Sequence, residues 1–340
     1  SGSYGDPLRN LLWEAGIRVY RVSPKRSHDA AEVYDGVPSW HDAKSAAILA
    51  KLHKDGASEL WRFRSAQERD LRAVVRRMEQ LDEQFHQNVN RLEGYMARHW
   101  PEVGAWLDFS CVTFLELVHR FGGPGQIALR AQEAREAMRA VGGRFLKEEK
   151  IDAVIASCDK TIGVRMTAQE AEALSNLAEH TLDLYRRLKE AKRNVNRFSG
   201  EQPSIDALSR AVGKATAAVL VVEVGDPGQY GSSSEWLKSF GLNLKERSSG
   251  KHIGRLKITK RGSGKARKWL YLAALRLIQK DLVVKTWYER KVARDGGGRR
   301  KKAIIAVMRK LAKALWYVGR GEALDTRKLF DVKRLGLAFG

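Results

Sequence analysis

The residues best suited to chemistry lie in one run of hydroxyls, glycines and cations. Arg247-Ser248-Ser249-Gly250-Lys251-His252-Ile253-Gly254-Arg255 leads into Leu256-Lys257-Ile258-Thr259-Lys260-Arg261-Gly262-Ser263-Gly264. A serine beside glycine, with Arg247, Lys251 and Arg255 around it, is suited to attack a phosphodiester. Nearby cations stabilise charge on the pentavalent transition state and favour loss of the hydroxyl proton. Glycine lets backbone approach a phosphate closely, and free N–H groups bind it. The same composition also suits a solvated linker or a plain phosphate contact, and all three readings stay open on the residues alone. Lys257, Lys260, Arg261, Lys265, Arg267 and Lys268 extend the run as candidate nucleic-acid contacts. Trp269 and Tyr271 could stack on bases or pack in a core.

The charge of the whole chain agrees with a polyanionic partner. Its 340 residues carry 62 Lys+Arg against 40 Asp+Glu, a formal net charge of +22. The excess is clustered: about two dozen Lys and Arg lie between Lys245 and Arg320, with few acids among them. Each phosphate that such residues neutralise releases counterions, which drives binding. Two cysteines, Cys111 and Cys158, exclude a disulfide framework or a cysteine-based zinc site and read as free thiols of a reducing cytoplasm. No apolar run has the length of a bilayer span, and the turn-rich opening Ser1-Gly2-Ser3-Tyr4-Gly5-Asp6-Pro7 does not read as a secretory signal.

Periodicity gives the elements that must position these residues. Leu8 to Glu14 has helical spacing, Ile17 to Val22 alternates as a half-buried strand that Ser23-Pro24 ends, and Trp40 to about Lys54 reads as a second helix. One strand and two helices bury little by themselves. Leu71, Val74, Met78, Leu81, Phe85, Asn88, Leu92 and Tyr95 then repeat at steps of three and four, a heptad seam with a polar residue at one core-type position. A second seam runs through Leu174, Leu177, Thr181, Leu184, Leu188, Ala191, Val195 and Phe198, so the two are expected as arms of an antiparallel hairpin or as contacts between subunits. Between them lies a helical tip broken at Gly122-Gly123-Pro124-Gly125 and Gly142-Gly143. After Gly200-Glu201-Gln202-Pro203, Ala207 to Val224 reads as one buried helix. Ser232-Ser233-Ser234 offers an N-cap to a helix with Trp236, Leu237 and Phe240. Lys265 to Lys280 is expected as a helix with an apolar stripe of Leu270, Leu272 and Leu275.

Several of these segments, taken in order, resemble one family. Glu223-Val224-Gly225-Asp226, Ser234, Phe240-Gly241-Leu242, Ser248-Ser249-Gly250, Ile258-Thr259-Lys260-Arg261-Gly262 and Arg267 through Ala274 follow the C-terminal pattern of the Piv-like DEDD transposases, insertion sequence family one-ten. Upstream, Ser1 to Gly5, Val22-Ser23-Pro24-Lys25 and His41-Asp42-Ala43-Lys44-Ser45-Ala46 resemble the second half of its RuvC-like domain. Lys302 to Leu311 is similar to its closing helix. The middle agrees in layout more than in residues.

The resemblance implies a mainly α protein with an N-terminal α/β part. It would comprise a partial RuvC-like (RNase H fold) region at 1–60, an antiparallel coiled coil with a helical insertion at 61–203, and a helical C-terminal transposase domain with a serine motif at 204–340. It implies a DNA transposase and recombinase of a mobile element that works as an oligomer in the prokaryotic cytoplasm, on the nucleoid. A structured noncoding RNA would guide it by pairing with target and donor DNA. By position in its motif Ser249 matches the family's nucleophile, with Ser248 as its neighbour, and the RuvC-like carboxylates would hold Mg²⁺. Of the family's four acids the first two fall ahead of Ser1, the third matches Asp42, and Ser45 stands at the fourth. Ser45 brings no charge to a site that holds hard cations through carboxylate oxygens. Asp35 and Asp29 lie nearby. Two further readings remain: a nuclease-deficient RNA-guided DNA-binding protein similar to Tas and Nop-type proteins, and a coiled-coil protein whose basic end binds DNA unguided.

Overall fold

The computed structural model of the chain describes residues 2–37, 41–246 and 256–337. Its contacts divide into two compact units, Ser1–Arg69 and Asp70–Gly340. The chain is mainly α.

The first unit holds α1 (Asp6–Glu14), β1 (Tyr20–Val22), α2 (Pro24–Asp35), α3 (Asp42–Lys54) and β2 (Ser58–Leu60). The strands pair antiparallel, with Tyr20 opposite Leu60 and Val22 opposite Ser58. This corrects the expectation of one strand and two helices. The alternation at 17–22 gives only three paired residues; the strand ends before Ser23-Pro24 as expected, and Pro24 also opens α2, which was not expected. Proline suits a first helical turn because its missing N–H has no partner there in any case. The partner strand Ser58–Leu60 carries little apolar alternation and was not legible. Trp13, Trp61 and Phe63 meet edge-on or stacked, with ring centroids 5.8–6.3 Å apart.

The second unit is built on two long helices. α4 (Ala66–His99) begins at a reciprocal cap, Ser65 Oγ accepting from the Glu68 N–H while the Glu68 carboxylate accepts from the Ser65 N–H. Four shorter helices follow: α5 (Val112–Phe121), α6 (Pro124–Leu129), α7 (Ala131–Gly142) and α8 (Glu148–Asp159). α9 (Ala168–Phe198) starts on the same device, between Thr167 and Glu170. Phe85 meets Tyr185 with centroids 6.1 Å apart, while Arg98 and His99 approach Glu170 at 3.6 and 3.8 Å. α4 and α9 therefore run antiparallel. Seam residues Leu71, Met78, Leu81, Phe85, Asn88 and Leu92 are buried, as are Leu174, Thr181, Leu188, Ala191 and Val195. Phe198, at the end of the second seam, is exposed instead. The tip closes over Trp100, fully buried, whose indole N–H donates to Ser157 Oγ at 3.0 Å. Cys158 is buried and Cys111 half-buried, both as free thiols.

The stretch 207–224 does not form one helix. It divides into α10 (Pro203–Val212) and α11 (Lys214–Val224) at Gly213, whose φ of +82° ends the first helix. α12 (Ser233–Ser239) follows, capped by Ser232. Then come β3 (Leu244–Lys245), β4 (Lys257–Ile258), α13 (Gly264–Lys280), α14 (Leu282–Arg294), α15 (Arg300–Val318) and α16 (Thr326–Leu329). α13 turns Ala266, Trp269, Leu270, Ala273, Ala274 and Ile278 inward. Of the stripe expected there only Leu270 is fully buried, and Leu272 is exposed, because the small residues let neighbouring helices approach closely. No helix of the described residues is long and apolar enough to cross a membrane.

Candidate nucleic-acid interface

β3 and β4 form an antiparallel stem, with Leu244 opposite Ile258 and Lys245 opposite Lys257. Of the candidate site residues, Ser249, Arg247, Lys251 and Arg255 lie outside the described residues, as does Ser248. They belong to the stretch of chain joining β3 to β4.

The base of that stem is closely built. Phe240 and Gly262 form a β-bridge. The Lys260 N–H donates to the Gly241 carbonyl at 2.9 Å, and the Thr259 N–H to the Asn243 carbonyl at 2.9 Å. A Cβ on Gly262 would lie 2.1 Å from the Ser239 carbonyl oxygen, and one on Gly241 2.6 Å from the Arg261 nitrogen. Gly241 also has φ +66°. Here glycine is required twice, for close approach and for backbone conformation. The platform beneath is apolar, with Trp236 and Phe240 fully buried and edge-to-face at 5.0 Å.

Arg267 closes the arrangement from α13. Its Nη1 donates to the Phe240 carbonyl at 2.9 Å, the Gly262 carbonyl at 3.0 Å and, more weakly, the Lys260 carbonyl at 3.3 Å. Lys260 has φ +57°, and among the described residues it is the one non-glycine with positive φ. That conformation costs an L-residue on the order of 1 kcal/mol. The helix carrying Arg267 is itself fixed: Ser263 Oγ accepts from the Ala266 N–H and donates to Glu223 Oε2 at 2.8 Å. Arg309 Nε donates to the Leu242 carbonyl at 2.9 Å on the other side.

The remaining cations separate into two groups. Lys257, Lys260 and Arg261 are exposed and have no ion pair among the described residues. Lys265 and Lys268 are half-exposed but reach α4, with Lys265 Nζ 2.9 Å from Glu79 and Lys268 Nζ 2.8 Å from Asp82. Several other basic side chains bond internal groups. Arg276 donates to the Thr216 hydroxyl at 2.8 Å, Arg290 to the Arg334 carbonyl at 2.6 Å and Arg320 to the Tyr230 carbonyl at 2.9 Å. Lys310 lies 4.9 Å from the centre of the Phe330 ring, and burial, then the nearby Lys313 charge, pull its pKa down. No spacing in the sequence separates these clamps from surface cations. Trp269 is buried, which leaves it in the core rather than available for base stacking; Tyr271 is half-buried.

In the first unit Asp42 is the exposed first residue of α3, capped by His41, whose Nδ1 accepts from the Lys44 N–H at 3.2 Å. The Lys44 side chain is buried, and its ammonium donates to Asp35 Oδ1 at 2.6 Å and to the Val37 carbonyl. The hydrogen bond from Lys44, then that from the Val37 N–H, holds the Asp35 carboxyl below its ordinary range. Asp29 pairs with Lys25 at 2.8 Å. Among the described residues no three His, Cys, Asp or Glu side chains gather as a metal-ion site. Asp42, Asp35 and Asp29 do not by themselves fit a divalent cation, since Asp35 and Asp29 are each engaged by a lysine.

Two family models match separate parts of the chain. Residues 209–289, from α10 into α14, match the model described as Transposase IS116/IS110/IS902 family. Residues 1–101 match a second model, described as Transposase and of the DEDD type named for IS110. This chain carries the transposase domains of the IS110/IS116/IS902 family. A relative in Streptomyces coelicolor, named "Insertion element IS110 uncharacterized 43.6 kDa protein", is 25% identical over 292 residues, covering 83% of this chain and 71% of that one. The stem, both of its glycines and Arg267 fall within the C-terminal match, and Asp42 within the N-terminal one. A transposase family implies DNA as a partner.

Proposed function

We propose that the transposase cuts and rejoins DNA through Ser249, guided by a structured noncoding RNA that pairs with target and donor DNA. The Ser249 oxygen attacks a backbone phosphorus and displaces one deoxyribose oxygen. That oxygen leaves as a hydroxyl, taking up a proton in place of the one the serine loses. A serine phosphodiester replaces the DNA phosphodiester, so bond energy is conserved, and a second deoxyribose hydroxyl reverses the step to join new strands. Arg247, Lys251 and Arg255 stabilise the phosphorane charge, while Lys257, Lys260 and Arg261 grip flanking phosphates. In this reading residues 1–60 are part of a RuvC-like domain in which Asp42 is one ligand of a Mg²⁺ site. Residues 61–203 form the antiparallel coiled coil and its helical insertion, residues 204–340 are the serine-bearing transposase domain, and the protein acts as an oligomer.

The observation that supports the reading best is the clasped base of the stem. Two glycines without room for a Cβ, a strained Lys260 and an arginine on three carbonyls fix the strands between which Ser249 lies in the chain. So much constraint at the foot of a polar connection suits a group that must be aimed.

The test uses the full chain with its copurifying RNA and labelled duplex DNA carrying the element's ends. A covalent protein–DNA adduct that survives denaturation is expected with the unaltered protein and with Ser248→Ala, and is expected to be absent with Ser249→Ala. Adduct persisting in Ser249→Ala removes Ser249 from the role. A second reading, RNA-guided DNA binding without cleavage, draws on the dispersed carboxylates of the described residues. Specific strand cleavage in the same assay disposes of it.

A further inference from the structure

Arg267 was expected among the nucleic-acid contacts, and its surroundings point elsewhere. We infer that Arg267 is a positioning residue: it holds the Lys260 backbone in the left-handed region, so that Lys260 and Arg261 face DNA together, and it makes no phosphate contact itself.

Three carbonyl oxygens, from Phe240, Lys260 and Gly262, converge on one guanidinium nitrogen of Arg267. They come from both sides of the stem base, so one side chain ties the turn after α12 to the turn before α13. Carbonyl dipoles gathered in this way need a cation, and the guanidinium supplies one that is half-buried. Lys260 neither is glycine nor has the short side chain that eases a positive φ. Its conformation is held by its own N–H to Gly241, by the Arg267 bond to its carbonyl, and by the bridge of the next residue but one to Phe240. The Thr259 hydroxyl, 3.4 Å from the Arg261 N–H, supports the turn less strongly. Lys260 and Arg261 are both exposed beyond it. Strain maintained beside two outward cations is the mark of a surface shaped before its ligand arrives.

The inference rests on the reading of this surface as a DNA contact, and a double-mutant cycle tests it separately from the serine chemistry. Binding of the full chain to a random-sequence DNA duplex is measured over a series of KCl concentrations. Lys260→Ala and Arg261→Ala are each expected to lower the slope of log K against log salt by about one. Arg267→Gln is expected to weaken binding in the unaltered chain and to add nothing in the Lys260→Ala/Arg261→Ala background. An additive effect there, a further fall of about one in slope, would mean that Arg267 meets a phosphate itself and would overturn the inference. So would an Arg267→Gln protein that binds as tightly as the unaltered one.

Amide hydrogen exchange guards against simple misfolding. The Lys260 amide is expected to lose protection in Arg267→Gln while amides within α13 keep theirs; a Lys260 amide that stays protected overturns the inference. Arg267→Lys is the second variant. It keeps the charge but not the reach or the planar fork, and is expected to behave as Arg267→Gln does, whereas a phosphate contact would survive it. The adduct assay with Ser249→Ala is independent of the cycle. Loss of adduct with an additive cycle leaves the function and removes the clasp; persistent adduct with a non-additive cycle does the reverse.

Discussion

Lys265 on α13 lies 2.9 Å from Glu79 on α4, and three residues on, Lys268 lies 2.8 Å from Asp82. The spacing matches on both helices, so the two pairs lock α13 against α4 in one register. Exposure within each pair is unequal: the Lys265 side chain is 54% exposed and that of Glu79 only 8%. Removing the lysine strands a carboxylate that water hardly reaches, whereas removing the acid frees a lysine that hydrates readily. Lys265→Ala should therefore cost about 1–2 kcal/mol, and Glu79→Gln less than about 1 kcal/mol. Urea unfolding of the two variants, compared at equal m-value, checks the order. Equal losses would show that the burial difference has no energetic weight.

The glycines divide by surroundings rather than by type. A Cβ on Gly262 meets backbone atoms of Ser239, Phe240 and Gly241 at 2.1–2.7 Å, so Gly262→Ala must push the stem apart and should cost at least about 2 kcal/mol. Gly94 sits inside α4 with nothing within 4 Å of its added Cβ. There the alanine lowers the entropy of the unfolded chain, and Gly94→Ala should stabilise by about 0.5–1 kcal/mol. Thermal melts of both variants should shift in opposite directions; a shared direction contradicts the packing at the stem.

Acid should weaken the link between Asp35 and Lys44. Because the folded pKa of Asp35 lies below its ordinary 3.8, the unfolded chain takes up its proton first as pH falls. The pair's contribution is thus fully present above about 3.8 and is lost as pH drops through the lower folded value. Carboxyl NMR of the full chain should find Asp35 titrating below the normal range, and shifted up toward it in Lys44→Met, where the Val37 N–H still lowers it. An unchanged titration in that variant rules out the lysine as the cause.

Neither thiol should take part in chemistry. Burial, reinforced by the Asp159 and Glu102 charges, pushes Cys158 up to about 12, and burial raises Cys111 as well. At pH 8 the thiolate fraction of Cys158 is on the order of one in ten thousand. Iodoacetamide is expected to modify both cysteines in denaturant and neither at a comparable rate in the folded protein. Rapid alkylation of native Cys158 contradicts this.

Local pattern made much of the architecture legible. The three-and-four spacing through Leu71–Tyr95 and Leu174–Val195 specifies helices because each helical turn returns to the same face, wherever the rest of the chain lies. The cap offered by Ser232-Ser233-Ser234 is equally local, since Ser232 accepts from an N–H three residues on. The rest was lost where the signal was short or ambiguous: α2 after Pro24 was not expected, and Gly213 divides a continuous apolar run into α10 and α11.

By itself the sequence determined the two long helices, the cationic excess and the order of motifs that marks the family, all of which depend on near neighbours or on composition. Only the tertiary structure decided what each cation does. Arg267 and Lys260 both read as surface charges, but strand pairing brings residues 240, 260 and 262 around Arg267 and leaves Lys260 and Arg261 facing outward. Glu79 and Asp82 draw in Lys265 and Lys268 across 186 residues of chain. Whether a positive charge meets a carbonyl, a carboxylate or water depends on atoms far away in sequence, and no spacing along the chain encodes their distance.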